Sequence, residues 1–195
     1  ANASGKSSIV KAIRACVGMI INSHNHNENT VFPFAPFKFG GADKLSSFFI
    51  RFNIDGVEYE YSFKMTQTQI VKEELYYYPN GRRSKVFSRD ESLGPDKKKV
   101  YDFRDSIARP MDVVANTSLK TLFVSRASQM GREVAQKVFR FFYENFILDF
   151  YNYNPLLLGR LLEENKDQLL SVLHIADSDI VNVSSKHELK PYTTA

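Results

Sequence analysis

Ala1-Asn2-Ala3-Ser4-Gly5-Lys6-Ser7-Ser8 leads directly into Ile9-Val10-Lys11-Ala12-Ile13-Arg14-Ala15-Cys16-Val17-Gly18-Met19-Ile20. The second stretch carries Ile9, Ile13, Cys16, Val17 and Ile20 at spacings of three and four, with Ala12 and Ala15 between them. This spacing predicts a helix over Lys6 to Asn22 with one buried face. A glycine-lysine-serine at the start of a helix is what a triphosphate site requires. Free backbone amides and the helix dipole face the phosphates, the lysine ammonium meets the outer phosphate oxygens, and the serine hydroxyl ligates magnesium. Gly5 has no side chain to hold a phosphate away. The residues expected to hold nucleotide are therefore Asn2, Ala3, Ser4, Gly5, Lys6, Ser7 and Ser8, with Ser7 on the metal. The full pattern begins with a glycine five places before Gly5, one place ahead of Ala1, so the match rests on the remaining positions.

Beyond the helix, Asn22 to Asn27 is polar and aperiodic, and Pro33 and Pro36 interrupt the aromatics of Phe32 to Phe39, which predicts an irregular loop. From Ser47 the period changes to two. Ile50, Phe52 and Ile54 alternate with polar residues, as do Val57, Tyr59, Tyr61 and Phe63, with Asp55-Gly56 between the runs. That dipeptide suits a primed turn, so a hairpin is predicted. Further runs from Gln69 to Tyr78 and from Arg83 to Ser88 flank Asn80-Gly81, which extends the reading to a four-stranded antiparallel meander with one polar face. Asp90 to Lys99 reads as a charged loop, Thr121 to Ser125 as a short strand, and Glu133 to Phe150 and Pro155 to Leu173 as two antiparallel helices. Pro155 fits the first turn of its helix, where no amide hydrogen is needed. Asp179 to Ser185 reads as one more strand.

The chain has 195 residues, 43% hydrophobic and 25% charged, which excludes disorder and suits one globular domain with a real core. No apolar run approaches the roughly eighteen residues of a membrane span, so a soluble protein is expected. The single cysteine, Cys16, excludes an internal disulfide, and no basic-then-apolar start is present; a cytoplasmic location is expected. The charge of +4 is mild, with basic clusters at Arg82, Arg83 and Lys85 and at Lys97 to Lys99. Such clusters are more often solvated loops than contacts to nucleic acid.

Ala1 to Ser8 resembles the Walker A motif of the ABC-type, prokaryotic AAA-family ATP-binding proteins, relatives of the overcoming-lysogenization-defect nucleases and, more distantly, of the chromosome-maintenance ATPases. The likeness continues in Pro33 to Phe39, Phe49 to Phe63, Leu122 to Gln129 and Ala176-Asp177-Ser178-Asp179-Ile180. It implies an α/β fold with an α+β appearance: the P-loop and its helix with an antiparallel sheet over 1–125, a helical arm over 126–175, and a strand returning over 176–195. It also implies ATP and magnesium as cofactors and a homodimer that closes on ATP in the complete protein. In such proteins a glutamine after a core strand reaches the magnesium and the attacking water. Gln129, four residues after Ser125, resembles it; an exposed glutamine capping a helix is the equal alternative.

The departures are large. No run of four apolar residues followed by Asp-Glu occurs, and neither the Ser-Gly-Gly-like signature nor the switch histidine is found. A chain without the metal-holding carboxylate should bind nucleotide better than it cleaves it, since phosphoryl transfer rests on positioned charge. The resemblance therefore points to the front half of an ATPase. Other constellations are weaker. His24 and His26 lack a third ligand nearby, His174 and His187 stand alone, and Tyr76-Tyr77-Tyr78 suits packing on a strand better than base stacking. Two rival functions stand beside ATP binding: a non-enzymatic interaction module, and a nucleic-acid binder using Arg82 and Arg83.

Overall fold

A computed structural model describes residues 6–32, 45–104, 106–108, 110–146, 155–175 and 180–186. The chain divides into two compact units, 1–148 and 149–195.

The first unit opens with α1, Lys6–Asn22, which matches the predicted helix. Its second half is in the core through Cys16, Val17, Met19 and Ile20, whereas Ile9 and Ile13 are 62% and 47% exposed. The expected single apolar face is thus covered over only part of its length.

Among the described residues the sheet has five antiparallel strands in sequential order: β1 (Ser46–Ile54), β2 (Val57–Met65), β3 (Ile70–Tyr77), β4 (Ser84–Asp90) and β5 (Tyr101–Phe103). Ile54 pairs with Val57 across a two-residue turn in which Asp55 and Gly56 have φ of 51° and 82°. Both positive values are what a primed turn needs, and the Asn53 side chain accepts the Gly56 amide at 2.9 Å. The second hairpin differs from its prediction. Tyr77 pairs with Ser84, so residues 78–83 form a longer connection, and Arg83 leaves the strand to meet Glu60.

The fifth strand corrects the four-stranded reading. A short helix, α2 (Lys97–Val100), lies within the stretch expected to be loop; the Asp96 carboxylate caps it, and β5 follows at once against β4. Three residues are too short a run for periodicity to reveal.

The larger correction concerns Thr121 to Ser125. This apolar run is no strand: α4 spans Phe123–Gln129, preceded by α3 at Pro110–Ala115. The free amides of Phe123 and Val124 donate to the Glu73 carboxylate at 2.6 and 2.9 Å, so a side chain from β3 caps the helix. A β-branched, aromatic run favours a strand locally, and this tertiary cap overrides it. At the other end Gly131 takes a φ of 76°, while the amides of Gly131 and Arg132 return to the carbonyls of Ser128 and Ala127. That is a glycine-ended helix stop.

α5 (Glu133–Asn145) places Ala135, Val138 and Phe142 in the core. Phe52 of β1 stacks on Tyr59 and on Phe141, with ring centroids 5.6 and 4.7 Å apart. One sheet face is thereby covered by helices, and the other carries Lys72, Glu74 and Lys85, as the alternation predicts.

In the second unit, α6 (Pro155–Glu164) begins at Pro155 and α7 (Lys166–Ile175) follows after Asn165. The Asn165 amide donates to Leu161 and its carbonyl accepts from Leu169, so the hydrogen-bond ladder continues through the break. Residues 180–186 form no strand.

Candidate functional site

Lys6 and Ser7 occupy the first turn of α1, with Ser8 exposed beside them. Asn2, Ala3, Ser4 and Gly5 lie outside the described residues. The first turn contains no acidic residue, so its unpaired amides and the positive helix end meet no competing carboxylate from within the turn. That composition fits an anion at this end of the helix.

Gln129 stands elsewhere. It ends α4, is exposed, and its side-chain oxygen accepts from Arg126. It lines a cleft of about 410 Å³ together with His24, Gln136 and Phe139. His24 follows the far end of α1 from Lys6, and the seventeen residues of α1 rise about 25 Å. This arrangement does not bring Gln129 to Lys6 and Ser7, and the strand expected to precede it is part of a helix. A glutamine at the close of a helix is the observed setting.

α1 and α4 are nevertheless fastened together. The Leu122 amide donates to Ser23 Oγ at 3.1 Å, the His24 amide donates to Ser125 Oγ at 3.1 Å, and Arg126 donates to the His24 carbonyl at 2.9 Å. His24 Nδ1 lies 3.1 Å from the same hydroxyl. Burial, then the charge of Arg126, hold the His24 pKa below its ordinary 6.5. Ser125 is fully buried, so this contact binds two helices and offers no nucleophile to substrate. His26 Nδ1 meets the Lys120 carbonyl at 3.0 Å. The two histidines thus serve the same junction, and no group of three metal-ligating side chains occurs among the described residues.

Sequence reasoning missed the buried charges at the centre of the sheet. Glu73 is completely buried; besides the two α4 amides it accepts the Tyr61 hydroxyl at 2.8 Å, and Arg89 Nη1 lies 3.8 Å away. Arg89 donates to the carbonyl of Thr121 at 2.7 Å and to Glu91 at 2.7 Å. Burial raises the Glu73 pKa, with Arg89 and the amide bonds opposing it. A signal was present: Glu73 shares its face with Leu75, and Arg89 with Phe87, so both charges fall on the core side of their strands. Cys16, pushed up to about 12 by burial, is an inert core thiol.

A family model described as "AAA domain, putative AbiEii toxin, Type IV TA system" matches residues 1–184. The chain belongs to this AAA family. It is a P-loop ATPase-type domain, and its glycine-lysine-serine lies inside the matched region. No curated protein and no solved structure matches it. The fold of this AAA domain is mixed α/β around a five-stranded antiparallel sheet, and among its described residues no helix is long and apolar enough to cross a membrane.

Proposed function

We propose that this AAA domain binds ATP with magnesium through residues 2–8. The observation that supports the reading is the coincidence of Gly5-Lys6-Ser7 with the start of α1, whose first turn holds no acidic residue, inside an AAA-family match. In this reading the amides of the first turn and Lys6 hold the phosphates, and the Ser7 hydroxyl supplies a magnesium ligand. Magnesium, when bound, neutralises charge between the outer phosphates. Hydrolysis is assigned to no residue here, because no apolar run ending in Asp-Glu occurs in the 195 residues. Nucleotide-dependent pairing of two such lobes, and any further activity, belong to the complete protein.

The test is binding of a fluorescent ATP analogue with magnesium, compared between the native chain and Lys6→Ala. Saturable binding that Lys6→Ala abolishes supports the reading. Equal binding by both proteins, or none by the native chain, removes it.

A second observation bears on assembly. Ile9, Ile13 and Cys16 of α1 line an apolar groove of about 400 Å³ with Phe48 and Ile50 of β1. An apolar lining open to water favours a lobe that works against further polypeptide. Sedimentation tests this reading, since a strictly monomeric chain at micromolar concentration with a cooperative melt would count against it.

A further inference from the structure

The β3–β4 hairpin and the segment after β5 enclose a second cleft, of about 610 Å³, lined by Tyr76, Arg83, Ser84, Lys85, Arg104 and Ser106 among others. The two arginines are twenty-one positions apart in sequence, so only the meander brings them together. Among the described residues that line the cleft, the charged ones are all cations; Asp105, between Arg104 and Ser106 in the sequence, lies outside the described residues.

Nearby carboxylates offset part of this charge. Glu60 is bonded by Arg51 and, at 2.8 Å, by Arg83; Asp102 accepts from Lys85 at 2.6 Å. Those two carboxylates are shared among three cations, and Glu58 adds a looser contact to Arg51 at 3.6 Å. Arg104 and Arg82 are exposed, and the backbone of Arg104 is tied to Val86 and Ile107, while its guanidinium adds to the positive charge around Asp102. Among the described residues, five cations (Arg51, Arg82, Arg83, Lys85, Arg104) thus stand against three carboxylates (Glu58, Glu60, Asp102). Within the cleft, Ser106 Oγ is a buried oxygen with no partner among the described residues. The guanidinium of Arg83 lies 3.5 Å from the centre of the Tyr76 ring, which fixes a flat cationic surface above an aromatic one.

We propose that this cleft binds the phosphate backbone of single-stranded nucleic acid. Arg82, Arg83, Lys85 and Arg104 form a cationic track along the end of the hairpin, and phosphodiesters are the anions that present charge at repeated intervals. The Arg83–Tyr76 stack offers a plane on which a base can lie, and the Ser106 hydroxyl can meet a phosphate oxygen. A single strand can follow a concave cleft, whereas a duplex presents a stiff convex surface to it. The proposal does not depend on nucleotide binding at α1.

The experiment is fluorescence anisotropy of a labelled oligothymidylate of ~20 nucleotides with the full chain at about 50 mM salt. Arg82→Glu combined with Arg104→Glu should weaken binding about tenfold or more and lower the logarithmic salt slope by about one. Reversing Lys98 and Lys99, exposed on α2, should change affinity by less than about twofold. Both variants should keep the native circular-dichroism spectrum and melt, because none of the four side chains is buried. No binding by the native chain, equal losses from the two reversals, tighter binding of a duplex, or equal affinity for free phosphate would each overturn the proposal.

Discussion

Replacing Glu73 by alanine removes an acceptor that three donors share: the amides of Phe123 and Val124 and the hydroxyl of Tyr61. The Arg89 guanidinium, completely buried, also loses the Glu73 charge 3.8 Å away and keeps only Glu91, at 2.7 Å, as an opposite charge beside it. A buried donor left without a partner costs about 1–3 kcal/mol, and removing one member of a buried ion pair about 3–5 kcal/mol. These costs overlap because one carboxylate serves all four groups. The expected loss is therefore about 4–6 kcal/mol, close to the whole stability of a modest domain. Glu73→Gln keeps the volume and one carbonyl oxygen but turns an amide toward donors, so about 2–3 kcal/mol is expected. Urea unfolding followed by circular dichroism at neutral pH measures both variants, and Glu73→Gln gives a reading even where Glu73→Ala fails to fold. A Glu73→Gln protein within about 0.5 kcal/mol of native stability would refute the view that this carboxylate holds α4 to the sheet.

Phe52→Ala should cost about 3–5 kcal/mol by the same assay, since Phe52 packs between Tyr59 and two phenylalanines of α5. Gly131→Ala should cost about 1–2 kcal/mol through its positive φ alone, because nothing lies within 4 Å of an added Cβ. The lowered pKa of His24 means that the folded chain binds fewer protons there than the unfolded chain. Its contribution is complete above the ordinary 6.5 and is lost as pH falls through the lowered value; the melting temperature should therefore drop less on acidification in His24→Asn than in the native chain. In Asp102, bonding to Lys85 holds the carboxyl below its ordinary 3.8, so stability from this pair is present above that value and declines as pH falls through the lowered one. Acid titration of Lys85→Met should show a smaller decline than the native chain.

The sequence by itself determined the elements whose signal is local. The helix from Lys6 to Asn22 follows from its three-and-four spacing, and the first hairpin from alternation around Asp55-Gly56. Tertiary structure decided the rest. Thr121 to Ser125 carries the composition of a strand, yet Glu73, some fifty positions earlier, supplies the acceptor that lets a helix begin at Phe123. That same change of element leaves Gln129 at a helix end beside His24, away from the start of α1. Arg83 and Arg104 acquire a common cleft only because β5 closes the meander beside β4. Periodicity reports which side of an element is apolar, but not which distant group will satisfy its free amides or neutralise its buried charge; those partners are chosen when the sheet and helices pack.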